Sequence, residues 1–279
     1  MHLNRLTTIF LLLNNTFKVI VMANKSSVAK SAETQKPPKV VVIFPAKNEA
    51  DTIKPCIEAV KQSKYEPAVI VADGHSTDKT RDIASENGAE VIMPEKRIHP
   101  GKGLAMKTGL RAALAKNPAV IVFLDSDIKN LTVEWLDKLV TSILKERHDM
   151  ARGMYLRHPR DAGVTKLVAR PLLRVFFPEV AHFDQPLSGE VAAKAEVWKE
   201  LLADDPPNGW GVDVWFLIEA AMRGYRIQEV FLGTKNHGSF ADYVDDLAKL
   251  SKMGEQVALA IVREALKYQR IDNVKETSP

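Results

Sequence analysis

Two rhythms of apolar and polar positions take turns along this chain, and their order predicts its architecture. Residues 40–44 are an unbroken apolar run ending at Pro45, the pattern of a strand covered on both faces. A helix follows at 51–62, then a strand at 68–72, a helix at 77–87 closed by Gly88, and a short strand at 90–93. After a helix at 103–116 comes the strongest strand, residues 119–124, which reads Ala-Val-Ile-Val-Phe-Leu and runs directly into Asp125-Ser126-Asp127. Strands alternating with helices predict an α/β fold with a mostly parallel sheet flanked by helices on both faces.

Beyond a helix at 133–145 the pattern loosens into a smaller α+β half. A strand is expected at 149–156, helices at 164–176, 190–202 and 212–223, the last closed by Gly224, a strand at 227–233, and a long C-terminal helix at 240–268. The first 38 residues read differently. Residues 23–39 are rich in Ser, Lys and Pro, so 1–38 is expected to be a flexible leader, explicable as an over-extended start. Its apolar patches at 6–22 are broken by Asn14, Asn15, Thr16 and Lys18, short of the roughly 20 mostly apolar residues that a spanning helix needs. The folded domain is placed at 39–279, with a first half at 39–130 and a second at 131–279.

Composition changes this picture little. With 46% hydrophobic and 27% charged residues, the 279-residue chain is globular in character. Its net charge of +4 suits anionic substrates, a membrane surface or merely a basic tail. The single cysteine, Cys56, excludes an intrachain disulfide and a thiolate metal cluster and fits a reducing compartment, so the chain is read as cytoplasmic.

The candidate chemistry lies at strand ends. In an open parallel sheet, ligands bind beyond the carboxyl ends of the strands. Three polar clusters sit there: Pro45-Ala46-Lys47-Asn48-Glu49, Asp73-Gly74-His75-Ser76-Thr77-Asp78 and Asp125-Ser126-Asp127. Asp125 and Asp127 are two apart, so in extended backbone they share a face and offer oxygen ligands to a magnesium or manganese ion. Such an ion would neutralise the charge developing on a departing nucleoside diphosphate. An isolated Asp-x-Asp is more often a helix cap. The joint placement of three clusters favours a site.

These motifs resemble the nucleotide-sugar domain of the glycosyltransferase A fold, of the family-two kind, over about 39–237. The resemblance implies that 39–130 binds the nucleotide sugar and 131–279 the acceptor. It implies donor contacts from Pro45, Ala46, Glu49, Asp73, Ser76, Lys102 and Asp125, and a metal held by Asp125, Asp127 and His237. In the second half, Val164-Thr165-Lys166-Leu167-Val168-Ala169-Arg170-Pro171, Gln185-Pro186-Leu187-Ser188-Gly189-Glu190 and Gly209-Trp210-Gly211-Val212-Asp213 are similar to segments of glucosyl-3-phosphoglycerate synthases. That family implies a retaining hexosyl transfer, with Asp213 and Lys102 as catalytic residues and Gly163, Thr165, Arg160, Lys235, Ser188 and Gly189 around the acceptor. The chain departs from the family where an expected Gly-Arg is Ala162-Gly163, and where Arg and Asn flanking the histidine are Lys235 and Ser239.

The expected reaction is therefore metal-dependent transfer of a hexose from a UDP- or GDP-sugar to a small phosphorylated or carboxylated acceptor. A run of cations, Arg152, Arg157, Arg160, Lys166, Arg170 and Arg174 against Asp161, is expected to meet that acceptor. No nucleic-acid or membrane partner is called for, and a homodimer is left open. The rivals are a family-two transferase acting on a polyprenyl phosphate and a non-catalytic nucleotide-binding protein. A nucleotidyltransferase is disfavoured because Lys47-Asn48-Glu49 lacks the glycine-rich basic phosphate loop.

Overall fold

The computed structural model describes residues 39–95, 101–157, 162–237 and 247–271, all within the compact unit Pro38–Pro279. The leader, Arg160, Asp161 and Ser239 lie outside the described residues. In chain order the elements are β1 (Val40–Ala46), α1 (Ile53–Lys61), β2 (Ala68–Asp73), α2 (Thr80–Glu86), β3 (Glu90–Ile92), α3 (Lys102–Leu114), β4 (Val120–Phe123) and α4 (Val133–Leu144). There follow β5 (Met150–Leu156), α5 (Arg170–Phe176), β6 (Val191–Lys194), α6 (Ala195–Ala203), α7 (Val212–Met222), β7 (Ile227–Thr234) and α8 (Leu247–Lys267). No described helix is long and apolar enough to cross a membrane.

One seven-stranded sheet runs in the order β3-β2-β1-β4-β6-β5-β7. β1 pairs in parallel with β2 and β4, β2 with β3, and β5 with β7. Only β6 runs against its neighbours, β4 and β5. The expected α/β architecture of the glycosyltransferase A fold is therefore present, with one reversed strand in the middle.

That strand corrects the helix expected at 190–202. Val191-Ala192-Ala193-Lys194 has helix-favouring alanines, yet it is a strand, and the helix begins only at Ala195. Ala192 and Ala193 are fully buried opposite Val122 and Ile121, so their pairing with β4 overrides local propensity. A second difference lies in the helix expected at 164–176. Its first part, Thr165–Ala169, is a widened turn in which Arg170 N–H donates to the Thr165 carbonyl. The wide turn precedes Pro171, whose ring would collide with the carbonyl four residues back in a regular helix.

Side-chain alternation along the strands splits the core. Val40, Val42 and Phe44 of β1 face α1 and α4, packing with Ile53, Ile57, Leu136 and Leu139. Val41 and Ile43 face α3, α6 and α7, with Met106, Leu110, Trp198 and Phe216. A third cluster joins α5, α7 and α8 through Leu173, Leu217, Val257 and Ile261. At Gly109 a Cβ would come within 2.6 Å of Ile43 Cγ2, so glycine lets α3 lie close on β1. The sheet thus delivers the ends of β1, β2 and β4 to one side, where the site forms.

Candidate active site

A cleft of about 1390 Å³ opens over those strand ends. Its floor includes Pro45, Ala46 and Glu49 after β1, Lys102 at the start of α3, and Asp125 and Asp127 after β4. Asp213 of α7 and Lys235 and His237 after β7 close the far side, with Gly163 and Thr165 beyond them. Residues from remote positions of the sequence meet here because the sheet is continuous from β2 to β7.

The turns after β1 and β2 brace each other. The Ser76 hydroxyl accepts from Asn48 N–H at 2.9 Å, Asp73 Oδ1 accepts from Ser76 N–H at 2.9 Å, and Gly74 N–H donates to the Ala46 carbonyl at 2.7 Å. Asn48 and His75 adopt φ values of 60° and 64°, the left-handed region that such tight turns require. Asp73 and Ser76, expected as donor contacts, are buried beneath the floor and do not line the cleft. Asp73 Oδ2 is left buried without a hydrogen-bond partner.

At the centre is a charged chain. The Lys102 ammonium lies 2.9 Å from Asp125 Oδ1 and 2.9 Å from Asp213 Oδ2. The Lys235 ammonium lies 2.9 Å from Asp125 Oδ2 and 2.7 Å from Glu190 Oε1, and sits 5.0 Å from the centre of the Tyr155 ring. Burial works against the charged form of Asp125, but the two ammoniums outweigh it and hold the carboxyl well below its ordinary range. Burial would likewise lower both lysines, yet Asp125 with Asp213, and Asp125 with Glu190, raise them above their ordinary values. Asp213 differs. Burial raises its pKa despite Lys102, and the Asp125 charge adds to the rise. Its Oδ1 is buried without a hydrogen-bond partner.

Two structural devices hold this chain. A Cβ on Gly189 would stand 2.6 Å from Asp125 Cγ, so only glycine lets the backbone before β6 pass the carboxylate. Arg152 of β5, fully buried, donates from Nη2 to the carbonyls of Pro186, Ser188 and Asp213, at 3.1, 3.1 and 3.2 Å. It ties the loop before β6 to the start of α7. Burial lowers the Arg152 pKa, with Asp213 opposing.

Asp125, expected among the metal ligands, has each of its carboxylate oxygens 2.9 Å from a lysine ammonium. Asp127 and His237 do meet, with Nδ1 3.7 Å from Oδ2, helped by a bridge between Ile128 and His237. Among the described residues no group of three or more His, Cys, Asp or Glu side chains is arranged to hold a metal. One carboxylate and one imidazole still suit a divalent ion that takes its remaining ligands from phosphates and water, as magnesium commonly does. Ser188 and Gly189, expected at the acceptor, are buried behind Asp125 and do not line the cleft. Of the expected acceptor cations, Arg152 is structural and Arg170 is paired with Asp184 at 2.8 Å. Sequence reasoning missed Glu190, Tyr155 and the wall from α8. No sequence signal marked Glu190, because the strand that it precedes was expected to be part of a helix.

The family described as glycosyl transferase family 2 matches residues 41–194, from β1 to the end of β6. The glucosyl-3-phosphoglycerate synthase of Petrotoga mobilis is 32% identical over 258 residues, covering 84% of this chain and 75% of that protein. The chain belongs to glycosyl transferase family 2, in its glucosyl-3-phosphoglycerate synthase group. This transferase also superposes on the Mycobacterium tuberculosis synthase solved with Mn2+, UDP-glucose and phosphoglyceric acid, at a TM-score of 0.69 and 32% identity, covering 82% of this chain and 80% of that one. The same synthase with Mn2+, UDP-glucose and glycerol 3-phosphate gives a TM-score of 0.68 at 32% identity, with coverage of 82% and 80%. The transferase is therefore a glycosyltransferase enzyme of this type, and the polyprenyl-phosphate reading is not favoured.

Proposed function

We propose that this transferase moves glucose from UDP-glucose to phosphoglycerate or a closely related small phosphorylated acceptor, with Mn2+ or Mg2+ as its ion. The observation that carries the reading is a single cleft in which Asp127 and His237 stand together beside the Lys102–Asp125–Asp213 chain. Relatives that hold Mn2+, UDP-glucose and phosphoglyceric acid support the choice of ligands. UDP is favoured over GDP on that ground.

In this reading Asp127 and His237 hold the ion, which neutralises charge on the departing diphosphate. Lys102 stays protonated between two carboxylates and brings a fixed positive charge to the donor. Asp125 is oriented by two ammoniums at once, so its carboxylate is ready to receive a hydroxyl of the donor without reorganising. Pro45, Ala46 and Glu49 form the nucleoside side of the floor, while Gly163 and Thr165 belong to the acceptor side. Retention at the anomeric carbon is part of the proposal, and the anomeric configuration of the product tests it.

The test is UDP release and product formation across UDP- and GDP-sugars, with Mn2+ or Mg2+ and a panel of phosphorylated acceptors. Asp127→Ala is expected to reduce transfer by roughly a thousandfold or more, the cost of losing several kcal/mol of charge stabilisation, while the protein stays folded. A folded variant with near-normal activity that also resists chelation would refute the reading.

A further inference from the structure

Behind Asp125 lies a carboxylate that the packing of the sheet does not require. Glu190 directly precedes β6, is wholly buried and does not line the cleft. Gly153 of β5 makes room for it: a Cβ there would stand 2.9 Å from Glu190 Cβ and 2.6 Å from Leu232 Cδ1. Glu190 Oε2 accepts from the Ser188 hydroxyl at 3.2 Å, and Oε1 lies 2.7 Å from the Lys235 ammonium. An apolar side chain of similar size would fill this space without the cost of taking a charge out of water, so stability alone does not account for a glutamate here.

Its partner is held from three sides. The Lys235 ammonium meets Asp125 Oδ2 at 2.9 Å, Glu190 Oε1 at 2.7 Å and the face of Tyr155, whose ring centre is 5.0 Å away. That ring is itself stacked on Trp135 of α4, with 6.1 Å between centroids and 7° between planes. An ammonium has three donors, and these three partners engage them, although Lys235 borders the cleft. Without Glu190, the flexible lysine stem would let the ammonium leave Asp125 for an anion in the cleft. Asp125 would then keep only Lys102, 2.9 Å from its other oxygen, and could turn about that single contact.

Resting on the function proposed above, we infer that Glu190 is a positioning residue for transfer: it touches neither substrate, but commits Lys235 to Asp125 and so fixes the carboxylate that faces the donor. Lys235, expected around the acceptor, then serves the donor side. The effect of Glu190 runs through one intermediary, and a perturbation of either residue should show up at Asp125 rather than in the grip on the acceptor.

Steady-state kinetics of the full chain with Mn2+, UDP-glucose and phosphoglycerate test this. Glu190→Leu fills the space without a hydrogen-bonding oxygen and is expected to lower kcat about tenfold, in keeping with loss of a charge-assisted contact, while the acceptor KM stays within about twofold. Glu190→Gln keeps an oxygen toward Lys235, because the Ser188 hydroxyl can accept from its amide NH2, and should retain most of kcat. The deciding comparison is a cycle: with Lys235→Met already present, Glu190→Leu should lower kcat less than about twofold, since the residue through which it acts is gone. A similar fall in both backgrounds, a Gln variant as slow as the Leu variant, or an acceptor KM that rises as far as kcat falls, overturns the positioning role. Thermal unfolding checks that the compared proteins are folded, and the split between kcat and KM needs only the two Glu190 variants, so it decides even if Lys235→Met, with Glu190 stranded, does not fold. If the unaltered enzyme transfers nothing to phosphoglycerate, the proposed function falls and the positioning role with it, whereas a normal unaltered rate with additive variants sinks the positioning role alone.

Discussion

Replacing Gly189 with alanine perturbs the site through one methyl group. That methyl would stand 2.6 Å from Asp125 Cγ, well inside ordinary contact distance, and nearer still to Oδ1. The backbone there is pinned by β6 and by Arg152, so the carboxylate has to move. Moving it stretches two ammonium contacts that are now both 2.9 Å. Hydrogen bonds to charged groups contribute about 1.5–3 kcal/mol each, and a turned carboxylate can keep one of the two, so the expected loss is about 3 kcal/mol. The same displacement at the donor site corresponds to about a hundredfold fall in kcat/KM. Urea unfolding at neutral pH and initial transfer rates measure the two effects. The discriminating experiment is a double-mutant cycle: with Asp125→Ala already present, adding Gly189→Ala should cost less than about 1 kcal/mol, because the colliding group is gone. Equal costs in both backgrounds would show that Gly189 matters for backbone conformation alone and would refute the reasoning.

Two further outcomes follow from the charged groups. Lys235→Met strands the wholly buried Glu190 and one oxygen of Asp125, so chemical denaturation should show a loss of about 3–5 kcal/mol, the usual cost of an uncompensated buried charge; a loss near zero would mean that the two Lys235 contacts add nothing to stability. Glu264 of α8, buried and beside Glu219, has its pKa pushed up to about 7 by burial and by that neighbour, while Glu219 is held at about 2 against burial by its hydrogen bonds to Glu264, Lys267 and Arg223. Since the raised group binds its proton more tightly when folded, its contribution is complete below the ordinary value of 4.5 and is lost as pH rises through 7. The contribution of Glu219 has the opposite sign and is lost only as pH falls toward 2. The melting temperature should therefore fall between about pH 5 and 7, and Glu264→Gln should flatten that slope; an unchanged slope in the variant would assign it to other groups.

The succession of donor-side strands along the chain was readable because the apolar runs at 40–44, 68–72 and 119–124 each end in a polar cluster, and fully buried parallel strands leave that signature. β6 was not readable. Val-Ala-Ala-Lys carries no period-two pattern, and its strand state comes from pairing with β4 and β5. The spacing that set Asp125 beside Asp127 identified a site but not its partners, since Lys235 lies 110 residues away from Asp125. Arg152 illustrates the same limit for charge. A guanidinium in a run of cations reads as exposed, yet alternation along β5 turns this one inward, beneath Asp213. Gly189 was visible in a motif, but its reason, the carboxylate that it admits, exists only in three dimensions.

The reversed strand β6 also constrains how the molecule can move. β4, which delivers Asp125, is hydrogen-bonded to β6, and β6 to β5, so the donor and acceptor sides share one unbroken sheet. Swinging one side against the other would tear that ladder across a close-packed core, which resists continuous deformation. Rearrangement around a substrate is therefore left to parts that the sheet does not own: the 204–211 loop at the mouth of α3 and the side chains of α8. The charged groups at the strand ends stand on an inflexible frame, and adjustment is left to its edge.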